Sequence, residues 1–451
     1  VKERIVILGS GESGVGAALL AKSKGFDVFV TDKNSIPNSY RKELIEAKIE
    51  FEEGQHSMDS ILSASTVVKS PGIPSTSDVV LQIKRSGIPI ISEIEFAYKY
   101  VSPSTRFIAI TGSNGKTTTT LLTYHIAQTL GWNVGLAGNI GTSLARQIVD
   151  TAHDVYIVEL SSFQLDDMYA FHPSVAVLLN ITPDHLDRYE YQFEKYIQSK
   201  FRITQQLTEK DTFIYYAEDA AIQSVLSAYL IPAKKWSIAL QANSNAAAYS
   251  TKDQFNFPII STSSVWDSKL LPIQGKHNQL NAMAAILAVH ALGASIEESF
   301  SAAQSFKNAP HRLEKVGVLN GALYVNDSKA TNVDSVWYAL DATPAPIVWI
   351  AGGVDKGNDY STLRPFIEGK VKTLISLNKD HSKLLAGVGP YISSIIEVNS
   401  MEEAIEKAMT LTEEGDTVLL SPACASFDLF KNYEDRGNQF RSIVQRHIRP
   451  L

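Results

Sequence analysis

Short apolar runs rich in Val and Ile alternate along the chain with stretches whose apolar residues recur at helical spacing. The alternation predicts parallel sheets covered by helices, because a parallel strand is buried on both faces and reaches its neighbour through a crossover helix. A first unit runs from a strand at 5–8 through a helix at 15–24 to a strand at 28–30. It closes with an apolar segment at 94–100 and the turn-rich Ser102-Pro103-Ser104. A second opens with a strand at 107–110 and continues with strands at 155–159 and 175–179. Its polar stretch at 241–257 reads as surface loops or short strands, and it ends in helical segments at 279–292 and 296–306. Ala309-Pro310 marks the next boundary. The third unit has strands at 347–350, 373–377 and 417–420 and a closing helix at 439–447. The expected domains are therefore 1–103, 104–309 and 310–451.

Composition narrows the partners. With 451 residues, 44% of them hydrophobic and 20% charged, the chain is globular and too long for one ordinary core. A net charge of −7 argues against nucleic-acid binding, which needs a basic face. One cysteine, Cys424, excludes an internal disulfide and a cysteine-rich zinc site. No apolar run approaches the roughly 20 residues that span a bilayer. The opening Val1-Lys2-Glu3-Arg4 leads into a strand without a signal-peptide pattern. The expectation is a soluble, cytoplasmic monomer acting on small molecules, with no nucleic-acid or membrane partner.

Two glycine-rich loops carry the chemistry. Gly9-Ser10-Gly11-Glu12-Ser13-Gly14 follows a strand and opens a helix, and Asp32 ends the next strand; this is the dinucleotide fingerprint. It specifies a diphosphate at a helix N-terminus but not which one: NAD, FAD and a UDP-sugar all fit, as does a purely structural turn. Thr111-Gly112-Ser113-Asn114-Gly115-Lys116-Thr117-Thr118 is sharper, a phosphate loop in which Lys116 reaches β/γ oxygens and Thr117 ligates Mg²⁺. It is a variant, with Ile110 where the strict pattern has glycine. Glu159 ends a strand and is either a metal ligand or an ordinary strand-end charge. Asn180–Asp187, containing His185, follows another strand. Lys200, by spacing, reads as a solvated surface lysine. In the third unit, polar loops at 326–332, 351–356 and 421–428 each follow a strand, where open α/β sheets bind ligands. The fold class is α/β in three domains: an N-terminal Rossmann-like domain, a central P-loop ATPase-type domain and a C-terminal Rossmann-like domain.

The ordered set resembles the Mur ligase family of cell-wall synthesis over essentially the whole chain. The loops at 326–332 and 421–428 resemble its D-glutamate-adding member. The resemblance implies an ATP-dependent ligase acting on UDP-N-acetylmuramoyl-L-alanine and D-glutamate through an acyl phosphate, with two Mg²⁺ and a CO₂-derived carbamate on Lys200. It implies that Ser13, Asp32, Ser70, Gly72 and Asn139 touch the UDP-sugar and that Ser161, Gln164 and His185 lie along its alanyl arm. Lys116, Thr117, Glu159, His185 and Lys200 then form the phosphate and metal centre. Asn278, Arg312, Asp327 and Lys329 complete the ATP site as the third domain swings, and Thr331, Lys356, Ser426 and Phe427 receive D-glutamate. Lys33 and Asn34 depart from the family pattern near the uridine. Other readings stay open: a Mur-type or folylpolyglutamate-type ligase with another amino acid, an NAD-dependent oxidoreductase, and a P-loop switch protein.

Overall fold

A computed structural model describes residues 2–258, 265–355 and 357–448. Among these, the β-branched runs become the strands of three sheets. The first contains β1 (Arg4–Leu8), β2 (Asp27–Asp32), β3 (Glu50–Glu53), β4 (Thr66–Lys69) and β5 (Ile90–Ile91), all parallel, in the order β3-β2-β1-β4-β5. The helix expected at 15–24 spans Glu12–Ser23 and so begins inside the glycine loop. Its first turn is Glu-Ser-Gly, which apolar periodicity does not register. Gly14 is required there, because a Cβ would lie 1.9 Å from the Gly9 carbonyl oxygen.

The second sheet holds β6 (Arg106–Thr111), β7 (Val134–Gly138), β8 (Val155–Glu159), β9 (Val175–Leu178), β10 (Thr212–Tyr216), β11 (Lys234–Ala239), β12 (Ala248–Thr251), β13 (Gln254–Asn256) and β14 (Val265–Asp267). Their order is β14-β13-β12-β11-β10-β9-β6-β8-β7, with β12, β13 and β14 paired antiparallel at one edge. The polar stretch at 241–257 therefore supplies two edge strands, turned by Lys252 and Asp253, both at positive φ (49° and 62°). The first two sheets belong to one compact unit, Val1–Pro272 with Asn278–Phe306, and share a continuous apolar core that includes Val30, Phe107, Tyr156 and Phe213.

The other unit comprises Ile273–His277 and Lys307–Leu451. Its sheet is built from β15 (Glu314–Leu319), β16 (Ala322–Asn326), β17 (Ile347–Ala351), β18 (Val371–Leu377), β19 (Ser394–Val398) and β20 (Thr417–Leu420), ordered β15-β16-β20-β17-β18-β19. Only β15 runs antiparallel to its neighbour. Apolar cores cover both faces, around Trp349 and Leu374 on one and Ile375 and Phe440 on the other. No described helix is long and apolar enough to cross a membrane.

In the first unit the helices Glu12–Ser23, Glu93–Tyr98 and Leu144–Asp150 meet so closely that a Cβ on Gly16 would lie 2.0 Å from Ser143 Oγ. Glu93 is buried there. Its Oε1 accepts from Ala145 N (2.6 Å) and Ser143 Oγ (3.1 Å), while Oε2 is buried without a hydrogen-bond partner. Burial pushes this carboxyl up to about 7 against the usual 4.5, partly offset by the two hydrogen bonds. The folded chain thus keeps a proton that the unfolded chain releases. The associated stability is full below about 4.5 and is lost as pH rises through about 7, a swing of roughly 3 kcal/mol. Glu93→Gln should flatten the fall in unfolding free energy across that window, measured by denaturant titration at several pH values; a variant with the parental slope would exclude Glu93 as its source.

Candidate active site

β6 lies between β9 and β8, so the loops leaving these three strands emerge side by side. After β6 the chain turns through Gly112 (φ 155°) and Gly115 (φ 81°) into the helix Lys116–Thr129. A side chain at 115 would strike Asn281 Oδ1 at 2.3 Å, and Asn281 in turn donates to Asn278 Oδ1 (3.0 Å). The loop after β9 pins the turn: Asn180 O accepts from Ser113 N (2.9 Å), Asn180 Oδ1 from Asn114 N (2.8 Å), and Thr182 O from Ser113 Oγ (3.0 Å). The result is a rigid strand–loop–helix junction whose helix begins at Lys116, with Thr117 and Thr118 buried in its first turn. A helix N-terminus of this kind offers backbone amides to an anion.

Charged side chains converge on this loop. Lys116 Nζ donates to the carbonyls of Gly112 and Ser113, both at 2.8 Å. Glu159, at the end of β8, is 1% exposed; Oε1 accepts from Asn139 Nδ2 (2.8 Å) and Oε2 is buried without a hydrogen-bond partner. Lys200 overturns the surface reading that its spacing suggests. It is 1% exposed, donates to Gly112 O at 2.8 Å, and sits 4.7 Å from the centre of the Tyr196 ring. Tyr196 and Lys200 are four apart on the helix Phe193–Phe201 and therefore share its buried face. Burial, and next the Lys116 cation, push the Lys200 amine well below the usual lysine range. His185 is exposed, at φ 53°, with its ring 5.1 Å from that of Phe163. Lys116, Asn139, Ser161, His185 and Lys200 line one cavity of about 330 Å³ together with Pro71 and Gly72.

A second cavity, of about 930 Å³, lies against the first sheet and is lined by Gly9–Ser13, Asp32, Lys33, Asn34, Ser70 and Gly72. Pro71 and Gly72 border both cavities. Ser70 Oγ is buried with no hydrogen-bond partner, and Gly9 (φ 101°) leaves no room for a side chain beside it. Asp32 closes the loop: Oδ2 accepts from Ser10 N (2.8 Å) and Ser10 Oγ (2.7 Å), and Oδ1 from Asn34 N (2.8 Å). Gln164 does not line either cavity. It is buried and forms a capping box with Ser161, which donates to its Oε1 at 2.9 Å. His56 lines the larger cavity, and its Nδ1 lies 2.7 Å from Thr31 Oγ1; no motif pointed to it.

In the other unit the loops after β16, β20 and β17 are neighbours because those strands are. Asp327 is buried, accepts from Ser421 Oγ (2.9 Å) and Leu313 N (3.2 Å), and is pushed up to about 7 by burial. Arg312 lies close enough to lower it partly, and Lys329 Nζ donates to Tyr433 OH (2.9 Å). Thr331 is half-buried, Ser426 is buried and Phe427 is 73% exposed. Lys356 lies outside the described residues. Arg436, in a helix that begins earlier than the sequence suggests (Tyr433–Ile448), is buried against these loops. Its signal in the sequence is faint, a charged residue in a polar run.

Residues 3–92 match the N-terminal domain of MurD-like Mur ligases, residues 110–289 the Mur ligase middle domain, and residues 311–424 the Mur ligase glutamate ligase domain. The UDP-N-acetylmuramoylalanine–D-glutamate ligase of Cytophaga hutchinsonii is 56% identical over 98% of this chain and 99% of its own length. Its namesake from Bacteroides thetaiotaomicron is 47% identical with the same coverage. Among solved structures, the MurF ligase of Thermotoga maritima in complex with ADP shares the fold, with a TM-score of 0.64 at 15% identity over 95% of this chain and 98% of that one. The pseudomurein peptide ligase type C of Methanothermus fervidus does so with a TM-score of 0.63 at 20% identity over 98% and 99%. The glycine loops, the three sheets and these likenesses agree: the chain belongs to the Mur ligase family.

Proposed function

We propose that this protein is an ATP-dependent ligase that joins D-glutamate to UDP-N-acetylmuramoyl-L-alanine, giving ADP and phosphate, in peptidoglycan precursor synthesis. The observation that carries this reading is the pair of cavities meeting at Pro71 and Gly72. A substrate with a nucleoside diphosphate at one end and a carboxylate at the other matches that layout, its diphosphate on the Gly9–Gly14 loop and its carboxylate at the phosphate loop. A nicotinamide enzyme would leave the phosphate loop without a role. The full-length relatives named above are D-glutamate ligases, which favours that amino acid over the alternatives.

In this reading residues 1–103 hold the UDP end through Ser13, Asp32, Ser70 and Gly72, with Asn139 and Ser161 along the arm. Lys116 faces the β/γ phosphates. An alanyl carboxylate oxygen bonds to the γ-phosphorus as the bond to ADP breaks, leaving an acyl phosphate. The neutral amine of D-glutamate then bonds to the acyl carbon, loses a proton, and phosphate departs from the tetrahedral centre. Lys116 offsets the repulsion between two anions in the first step. The loops around Asp327, Lys329, Thr331 and Ser426 belong to nucleotide and amino-acid recognition.

Among the described residues no three His, Cys, Asp or Glu side chains form a ready-made metal cluster. The orphaned Oε2 of Glu159 beside the phosphate loop nevertheless suits a hard cation, with the Thr117 hydroxyl and His185 as further ligands. These residues would hold Mg²⁺, which would neutralise phosphate charge; a second such ion is part of the same proposal. Lys200 suits carbamylation: burial and Lys116 favour its neutral amine, which adds to CO₂ and releases a proton to give an anionic carbamate. That group replaces an ammonium unable to ligate a cation.

Phosphate release from ATP should require both UDP-N-acetylmuramoyl-L-alanine and D-glutamate; equal turnover without either excludes the ligase. Lys116→Ala should lower turnover on the order of a hundredfold or more, as expected for a preorganised electrostatic group, and near-parental activity would show the phosphate loop to be misassigned. Lys200→Ala should lose most activity and regain part of it with formate or acetate. Labelled CO₂ should give a carbamate carbon signal in the parent that the variant lacks, and identical spectra for the two would exclude the modification.

A further inference from the structure

The helix Tyr433–Ile448 buries one guanidinium in the unit that comprises Ile273–His277 and Lys307–Leu451. Arg436 is 1% exposed, and it meets the loops after β16, β20 and β17 at once. Nε donates to Ser328 Oγ (3.0 Å). One terminal nitrogen, Nη1, donates to Gly352 O and Cys424 O (both 3.3 Å); the other, Nη2, donates to Ser328 O (2.9 Å) and Cys424 O (3.3 Å). Five N–H groups thus make five donations in a planar fork, an arrangement a lysine with three donors cannot reproduce. Every acceptor is neutral. Among the described residues this guanidinium forms no ion pair with a carboxylate; burial lowers it to about 10, and Cys424, Asp428 and Asp327 act on it through space in the opposite sense. Asp327 is itself pushed up to about 7, by burial, with Arg312 and Arg436 among the groups that lower it.

The same three loops depend on one another. Gly352 N donates to Pro422 O (2.9 Å), Ala423 N to Ala330 O (3.0 Å), and a Cβ on Gly353 would lie 2.0 Å from Ala425 O. Ser328 Oγ, besides accepting from Arg436, donates to Tyr433 O (2.8 Å). Such loops can keep a common register only if something rigid satisfies the carbonyls that turn inward.

We infer that Arg436 is a positioning residue for the amino-acid substrate: it locks the three loops in register and supplies a buried positive charge, unpaired by any protein carboxylate, that favours a dicarboxylate over a neutral amino acid. This rests on the ligase reading. The charge is set behind the loops and touches no reacting atom. Its two contributions, shape and field, separate in two variants, because Arg436→Lys keeps the charge without the fork and Arg436→Met keeps neither.

The test is steady-state kinetics of the full chain with each substrate varied in turn, alongside thermal melts. Arg436→Met should raise KM for D-glutamate on the order of tenfold or more, leave KM for the UDP substrate within about twofold, and Arg436→Lys should recover part of the loss. Ser328→Ala, which removes one acceptor and keeps the guanidinium, should shift the D-glutamate KM in the same direction by less, and it decides the matter should Arg436→Met not fold. An unchanged D-glutamate KM in a folded Arg436→Met or, failing that, in Ser328→Ala overturns the inference. So does a lysine variant as impaired as the methionine one, or an equal shift in the KM of the UDP substrate. Parental protein without D-glutamate-dependent turnover would instead remove the ligase reading, and the inference with it.

Discussion

Two lysine amines share the carbonyl oxygen of Gly112. Lys116 reaches it from the helix that the loop begins, and Lys200 from a helix that packs on the loop, both at 2.8 Å. Two ammonium groups on one acceptor repel, and the repulsion is least screened where solvent is absent. The more buried of the pair therefore carries the cost, and that is Lys200. Burial is the larger cause of the lowered Lys200 amine, and the Lys116 charge at this contact adds to it. In the ligase reading proposed above, Lys116 would be the cation that meets phosphate, and conversion of the Lys200 amine to an anion would turn repulsion into attraction. Glu159, with one oxygen held by Asn139 and the other unsatisfied, has the complementary sign beside them.

The positions legible in the sequence are those whose backbone is constrained locally. Gly9, Gly14, Gly112 and Gly115 stand where a Cβ would meet another atom at 1.9–3.0 Å, so the motif and the geometry state one fact. The three polar loops at 326–332, 351–356 and 421–428 could each be seen after a strand, but their adjacency could not. It comes from β20 inserting between β16 and β17, a long-range pairing that leaves no trace in local pattern. Lys200 and Arg436 escaped for a related reason. A charged residue on a mostly polar helix reads as solvated until the packing partner is known, and both partners are distant in sequence, Gly112 for Lys200 and Ser328 and Gly352 for Arg436. Glu93, just before the apolar segment at 94–100, was hidden likewise.

An elongated substrate imposes a further constraint. If one molecule spans the cavity on the first sheet and the cavity at the phosphate loop, the elements carrying those cavities must hold a fixed spacing, since small misplacements of reacting atoms are costly. The first unit meets this with charged contacts rather than with apolar packing alone. Glu12, inside the first glycine loop, accepts from Ser143 N (3.1 Å) and Arg146 Nε (3.0 Å), and Arg146 also reaches Glu43 (2.5 Å). Lys69, buried at the end of β4, pairs with Asp167 at 2.9 Å. Glu95 accepts from the amides of Ala170 (2.8 Å) and Phe171 (3.0 Å). Apolar contact alone tolerates sliding, whereas a buried ion pair or a carboxylate on two amides has one satisfied register and a penalty for every other. The glycine loop that would hold the diphosphate is thus itself a member of the clasp, so the geometry that binds one end of the substrate also fixes the distance to the other.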